Sequence, residues 1–123
     1  MLKSPSEYHE RLDRVSILER LDGSQELLAE LIQLFLEEAP QLIQTMRGAL
    51  QQGDMQVLAR TAHSMKGAAS NFLAYGTSSA ALHLETDAKN GDLEAARASL
   101  AALENVVERL LPELANLCQG SLK

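Results

Sequence analysis

An all-α fold, an antiparallel up-down four-helix bundle with a short extra N-terminal helix, is what this sequence predicts. Three observations carry the prediction. Apolar residues recur at three- and four-residue steps through four long segments, the mark of helices that bury one face. Alanine and leucine are abundant while aromatics make up 3% of the chain, a composition suited to closely packed helices rather than strands. Gly53-Asp54 and Gly91-Asp92 each stop one helix and start the next. Links that short make consecutive helices antiparallel neighbours.

Residues 1–10 are polar, carry Pro5 and read as a loose lead-in, with His9 a solvated surface residue. A short amphipathic helix is expected from about Arg11 to Leu21. Leu12, Val15, Leu18 and either Leu21 or Ile17 would face inward. Too short to stand alone, it should cap one end of the bundle. Asp22 or Ser24 can then serve as N-cap, with Glu26 in the first turn. Helical spacing continues from Leu27 to Leu50 and resumes in phase after Pro40. That phase match predicts one bent helix rather than two. Glu37-Glu38 reads as a solvated face.

The following helix should run from about Met55 to Phe72. Leu73-Ala74-Tyr75-Gly76-Thr77 is a joint, either a real break or a continuous helix carrying a costly glycine. The next helix spans about Thr77 to Lys89, with Ala80, Ala81, Leu84 and Ala88 as its buried line. The last spans Leu93 to about Cys118 and buries Ala96, Leu100, Leu103, Val107, Leu110, Leu111, Leu114 and Leu117, with a bend at Pro112. Residues 119–123 read as a frayed tail, which leaves 11–118 as the folded domain.

At 123 residues the chain fits one domain, and 46% hydrophobic residues can supply its core. A net charge of −6 argues against non-specific nucleic-acid binding, which needs a basic face. No apolar run approaches the ~18 residues of a membrane span, and the first residues lack the apolar core of a secretory signal. Cys118 stands alone, so it reads as a packed small hydrophobe. These features together predict a cytoplasmic protein, either free-standing or a domain of a larger chain; a monomer is the expectation for its assembly.

The chemistry concentrates in Ala62-His63-Ser64-Met65-Lys66-Gly67-Ala68-Ala69-Ser70-Asn71. A helix turns about 100° per residue. Met55, Leu58, Ala62, Met65, Ala69 and Phe72 then share one stripe, and His63 lies opposite it. Ala59, Gly67 and Ser70 surround His63, and Lys66 flanks it. The imidazole should therefore face solvent among small neighbours. Glycine inside a helix costs about 1 kcal/mol relative to alanine. A large side chain at 67 would lean back over His63, so Gly67 leaves the approach to the ring open. Lys66, three residues on, can place a positive charge beside a group carried on the ring. A nucleophilic imidazole, a neighbouring ammonium and a cleared approach suggest a phosphoryl group.

The run His63-Ser64-Met65-Lys66-Gly67-Ala68-Ala69 resembles the signature of histidine phosphotransfer (HPt) domains, His-Ser/Thr-x-Lys-Gly-small-small. The likeness extends from about Ile17 to Leu117 and includes Phe35-Leu36-Glu37-Glu38, Gly53-Asp54, Leu84-Glu85 and Gly91-Asp92. One departure is Leu73-Ala74, where the family usually has Gly-Ala. The resemblance implies a four-helix bundle and a phosphocarrier. His63 would take a phosphoryl group from a receiver-domain aspartate of a response regulator, on Nε2, and pass it to the aspartate of another receiver. A hybrid sensor histidine kinase is one source of such receivers, and a membrane-bound sensor kinase is the larger chain to which this domain would belong if it is not free-standing. Lys66 would screen the phosphate, while Gly67, Ala59 and Ser70 would form the receiver-docking surface. Mg²⁺ would come from the receiver, with no cofactor in this chain.

Other readings are simpler for other residues. His83 has Asp87 four residues on, which offers a local pair. No His-Glu-x-x-His, Cys/His cluster, nucleotide-binding glycine loop or Gly-x-Ser-x-Gly elbow occurs. Metal binding, ATP binding and serine hydrolase chemistry are therefore not expected, and the chain reads as a relay rather than a complete enzyme. Two alternatives stand beside the phosphocarrier. One is a helical adaptor that binds receivers without phosphotransfer. The other is the phosphorylated histidine domain of a chemotaxis-type kinase.

Overall fold

The computed structural model describes residues 12–120. These form five helices: α1 (Arg14–Arg20), α2 (Gln25–Gln52), α3 (Met55–Ser70), α4 (Tyr75–Lys89) and α5 (Leu93–Gly120). No strand occurs among the described residues. Helices α2 to α5 close a ring of contacts, α2 on α3, α3 on α4, α4 on α5 and α5 back on α2. The lead-in over 1–10 and residues 121–123 lie outside the described residues. The last helix continues two residues beyond its expected end at Cys118.

The short first helix departs most from its sequence pattern. Its expected start at Arg11 lies outside the described residues; Asp13 caps the helix at Arg14–Arg20, accepting hydrogen bonds from the backbone N–H groups of Val15 and Ser16. Ile17 is fully buried and Val15 is 65% exposed, the reverse of the inward role expected for Val15. A helix of only two turns has too few apolar positions for their spacing to say which face packs inward, and it is Ile17 that enters the core cluster. Leu12, Leu18 and Leu21 pack against the core at their edges.

Ser24 caps α2 through its hydroxyl, which accepts from the Leu27 N–H at 3.1 Å. Asp22 instead adopts a positive φ of 56° in the turn. Helix α2 runs unbroken through Pro40. It buries Leu28, Ile32, Phe35, Ala39, Ile43, Met46 and Ala49 at helical spacing, while Leu27 stays exposed. Gly53 then adopts a left-handed φ of 68° and closes α2, and the Asp54 carboxylate caps α3 at the Val57 N–H. Asp92 repeats that cap on α5, accepting from the Ala95 N–H at 3.0 Å. Helix α5 passes through Pro112 without interruption and buries Ala96, Leu100, Leu103, Val107, Leu110 and Leu114 as expected, with Ala102 and Val106 in addition, whereas Leu111 and Leu117 are only partly buried at its edge.

The joint after α3 is a real break over residues 71–74. Leu73 takes a φ of 54°, left-handed geometry that a Cβ disfavours. This is the position where the HPt pattern has glycine, and the backbone gives the reason. Phe72 and Ala74 on either side are buried. The Phe72 ring packs edge-on against Phe35 of α2, with centroids 5.6 Å apart. Helix α4 begins at Tyr75, two residues before the expected start, and takes Gly76 into its first turn.

Candidate functional site

Helix α3 turns Leu58, Ala62, Met65 and Ala69 fully into the core. His63 falls on the opposite side, its side chain 64% exposed. The same phase puts His63 against α4, across the seam between the two helices. The expected solvent-facing position is what the helix produces, but the ring is not alone there.

Glu85 of α4 meets it. Nδ1 of His63 lies 3.1 Å from Oε2 of Glu85. The glutamate side chain is only 7% exposed and receives two ammonium groups as well. Lys66 Nζ of α3 donates to Oε1 at 3.2 Å. Lys89 Nζ, one turn further along α4, reaches Oε2 at 3.1 Å. Burial pushes the Glu85 carboxyl up, but the hydrogen bonds and charges of Lys89 and Lys66 overcome it and hold the group below its ordinary value. Glu85 is therefore an ionised carboxylate that can only accept. Nδ1 of the neutral ring must then carry the proton, and the lone pair sits on Nε2.

Gly67 is exposed, and a Cβ built on it would meet nothing within 4 Å. Neither backbone geometry nor packing within the chain calls for glycine there. Gly48 in α2 has the same clearance, so the space alone is not distinctive. What distinguishes Gly67 is the histidine one turn before it. Ala59 is nearly buried and lies on the floor of an open groove of about 600 Å³ beside His63. Arg60, Glu85, Ala88 and Lys89 also line this groove. The Ser70 hydroxyl is engaged within the seam. It donates to the Lys66 carbonyl at 2.8 Å and lies 3.3 Å from the Ser78 hydroxyl. The structure thus gathers His63, Lys66, Gly67 and Ala59 on one face and turns Ser70 towards α4.

Glu85 and Lys89 were not assigned roles from the sequence. The signal was present in the phase of α4, because Glu85 follows Ala81 by four residues on a helix whose buried line is otherwise alanine and leucine. A glutamate in a core phase is rare without partners. Thr77, fully buried on the same helix, is a milder case. His83 is exposed on α4, and Asp87 accepts a hydrogen bond from the Ser99 hydroxyl of α5. Among the described residues no cluster of His, Cys, Asp or Glu is placed to hold a metal ion, and no helix is long and apolar enough to cross a membrane.

The Hpt domain family model matches residues 30–119. No curated protein matches the chain. Among solved structures, the chain is similar to the crystal structure of histidine-containing phosphotransfer protein B (HptB) from Pseudomonas aeruginosa PAO1. The two share 27% sequence identity at a TM-score of 0.81, over 88% of this chain and 94% of that one. The match spans α2 to α5 and encloses the His63, Lys66 and Glu85 cluster, so the chain belongs to the Hpt domain family, the histidine phosphotransfer domains of phosphorelays.

Proposed function

We propose that His63 is the phosphoryl carrier of this domain, loaded from the aspartyl phosphate of one receiver and unloaded onto the aspartate of another. The observation that carries the reading is the contact between Nδ1 of His63 and the buried Glu85 carboxylate. It leaves Nε2 as the nucleophile on an exposed face. In the loading step Nε2 attacks phosphorus, an N–P bond forms, and the P–O bond to the receiver aspartate breaks. The aspartate leaves as carboxylate. The ring keeps its proton on Nδ1 and becomes cationic, and Glu85 stabilises that charge. The return step reverses these bonds.

Lys66 has a flexible stem and three donors. It rests on Glu85 and is 29% exposed, which allows it to screen the phosphoryl oxygens once the group is in place. Gly67 admits the receiver loop, and the Ala59 groove seats its rim. The Mg²⁺ and acidic residues of the reaction belong to the receiver, and the domain acts as substrate and relay. Short links and the ring of helix contacts support an up-down antiparallel arrangement of α2 to α5. The test is incubation with a phosphorylated receiver and Mg²⁺. Acid-labile, alkali-stable label is expected on the protein and none on His63→Gln. Undiminished label on that variant would refute the assignment.

A further inference from the structure

A carboxylate held against an imidazole has a cost for nucleophilic chemistry. An opposite charge within ~4–6 Å favours the charged form of a titrating group. Glu85 on its own would therefore favour imidazolium at His63, which has no lone pair to attack with. The Nδ1 contact that sets the tautomer would thus also work against the reactive state as pH falls.

The cluster contains a remedy. Lys66 binds Oε1 of Glu85, the oxygen that His63 does not use. Lys89 binds Oε2, the oxygen that faces His63 Nδ1. Lys89 and the histidine therefore share one acceptor oxygen, and the ammonium offsets part of the negative charge that faces the ring. The ammonium is a strong, permanent donor four residues along the same helix, and its side chain is 66% exposed. Among the described residues, the other charged groups at this site are Arg60, which lines the groove, and Lys66, which sits on Glu85. The groove next to His63 takes no residue from α2 or α5.

We propose that Lys89 is a positioning residue that acts through Glu85, sharing Oε2 with His63 so that the imidazole stays neutral and nucleophilic to lower pH. The carboxylate keeps enough hold to fix the tautomer, and Lys89 limits how far that hold extends to the protonated ring. This inference rests on His63 being the phosphoryl acceptor, but the coupling itself is measurable in the unphosphorylated protein.

The experiment is an NMR titration of the ¹⁵N-labelled His63 ring in the full chain, paired with the pH profile of transfer from a phosphorylated receiver. Lys89→Gln should raise the titration midpoint of His63 by about 0.5 pH unit, roughly threefold in proton affinity. The acid limb of the transfer profile should rise by the same amount, and Lys89→Arg should restore both. Arg60→Gln removes one positive charge from the same groove without touching Glu85, and should move the midpoint by less than half as much. An unchanged or lowered midpoint in Lys89→Gln overturns the proposal. An equal shift in Arg60→Gln overturns the route through Glu85. A raised midpoint with an unmoved acid limb supports the coupling and instead rejects His63 as the acceptor.

Discussion

Two helix seams in this protein each pair a glutamate with basic side chains, and only one of the two also holds a histidine. On the α2–α5 seam Arg47 and Glu104 form an ion pair with side chains 61% and 25% exposed. On the α3–α4 seam Glu85 is 7% exposed and holds two ammoniums and an imidazole. Arg47 is largely in water and Glu104 keeps a quarter of its side chain exposed, so the net worth of the pair is small and screened by salt. Glu85 has lost its water, so each partner matters and losing one leaves the others imbalanced. The comparison teaches that the presence of an ion pair says little. Burial beside a titrating group is what turns a carboxylate into a control element.

The comparison breaks most visibly at Glu85. Removing a hydrogen bond to a charged group costs about 1.5–3 kcal/mol, which is roughly tenfold to a hundredfold in rate. Glu85→Ala should slow phosphotransfer by that factor at pH 8, a loss that reads the tautomer and the developing ring charge. Unchanged rates at pH 8 would reduce Glu85 to a structural residue. The same carboxylate should also show in stability. Its folded value is depressed below the ordinary 4.5. Its contribution is therefore fully present above pH 4.5 and is lost as pH falls through the lower folded value. Between those limits the wild type should lose more stability in denaturant melts than Glu85→Gln does. Parallel melts would contradict the depressed value.

Gly67 sharpens the contrast from the partner's side. Gly67→Arg replaces a helix glycine by a good helix former and should gain about 0.5–1 kcal/mol in chemical unfolding. Transfer should nevertheless slow by about tenfold, the effect of a 1.4 kcal/mol obstacle to close approach. A variant that is more stable and equally fast would show that the open space above His63 serves no partner.

How much of this was legible beforehand depended on what each feature rests on. The stripes of α2, α3 and α5 were readable because burial repeats over many turns, as from Leu28 through Met46. Val15 points outward where the spacing expects it inward, because two turns of α1 give too short a pattern to choose between it and Ile17. His63, Lys66 and Gly67 share one helix, so their spacing states their neighbourhood. Glu85 and Lys89 come from another helix, and a pattern along one segment does not say which residues of the next it will meet. Leu73 is similar. Its φ of 54° falls on a leucine between buried Phe72 and Ala74, and a leucine in a sequence does not announce left-handed backbone.

That joint offers the next test within the α3–α4 seam. Leu73→Ala and Leu73→Gly both remove the partly buried side chain, but only glycine relieves the left-handed backbone. Leu73→Gly should therefore be the more stable of the two by about 1 kcal/mol. In a helix interior the order is the opposite. Equal unfolding midpoints would place the joint in an unstrained conformation in solution.

The smallest effect belongs to the seam that carries no histidine. Arg47→Gln removes the cation from Glu104, whose carboxylate accepts from Arg47 Nε at 2.6 Å. Because water reaches both partners, the freed carboxylate is rehydrated and the loss should stay within about 0.5 kcal/mol. Salt should shrink it further, and phosphotransfer should not change. The informative control is the double comparison with Lys89→Gln, which also removes one cation from one glutamate. If Arg47→Gln altered transfer, charge anywhere on the bundle would matter, and the special position of Glu85 would be lost. If Arg47→Gln is silent while Lys89→Gln shifts the pH profile, the difference lies in burial and in the shared oxygen, since the two substitutions change the net charge equally.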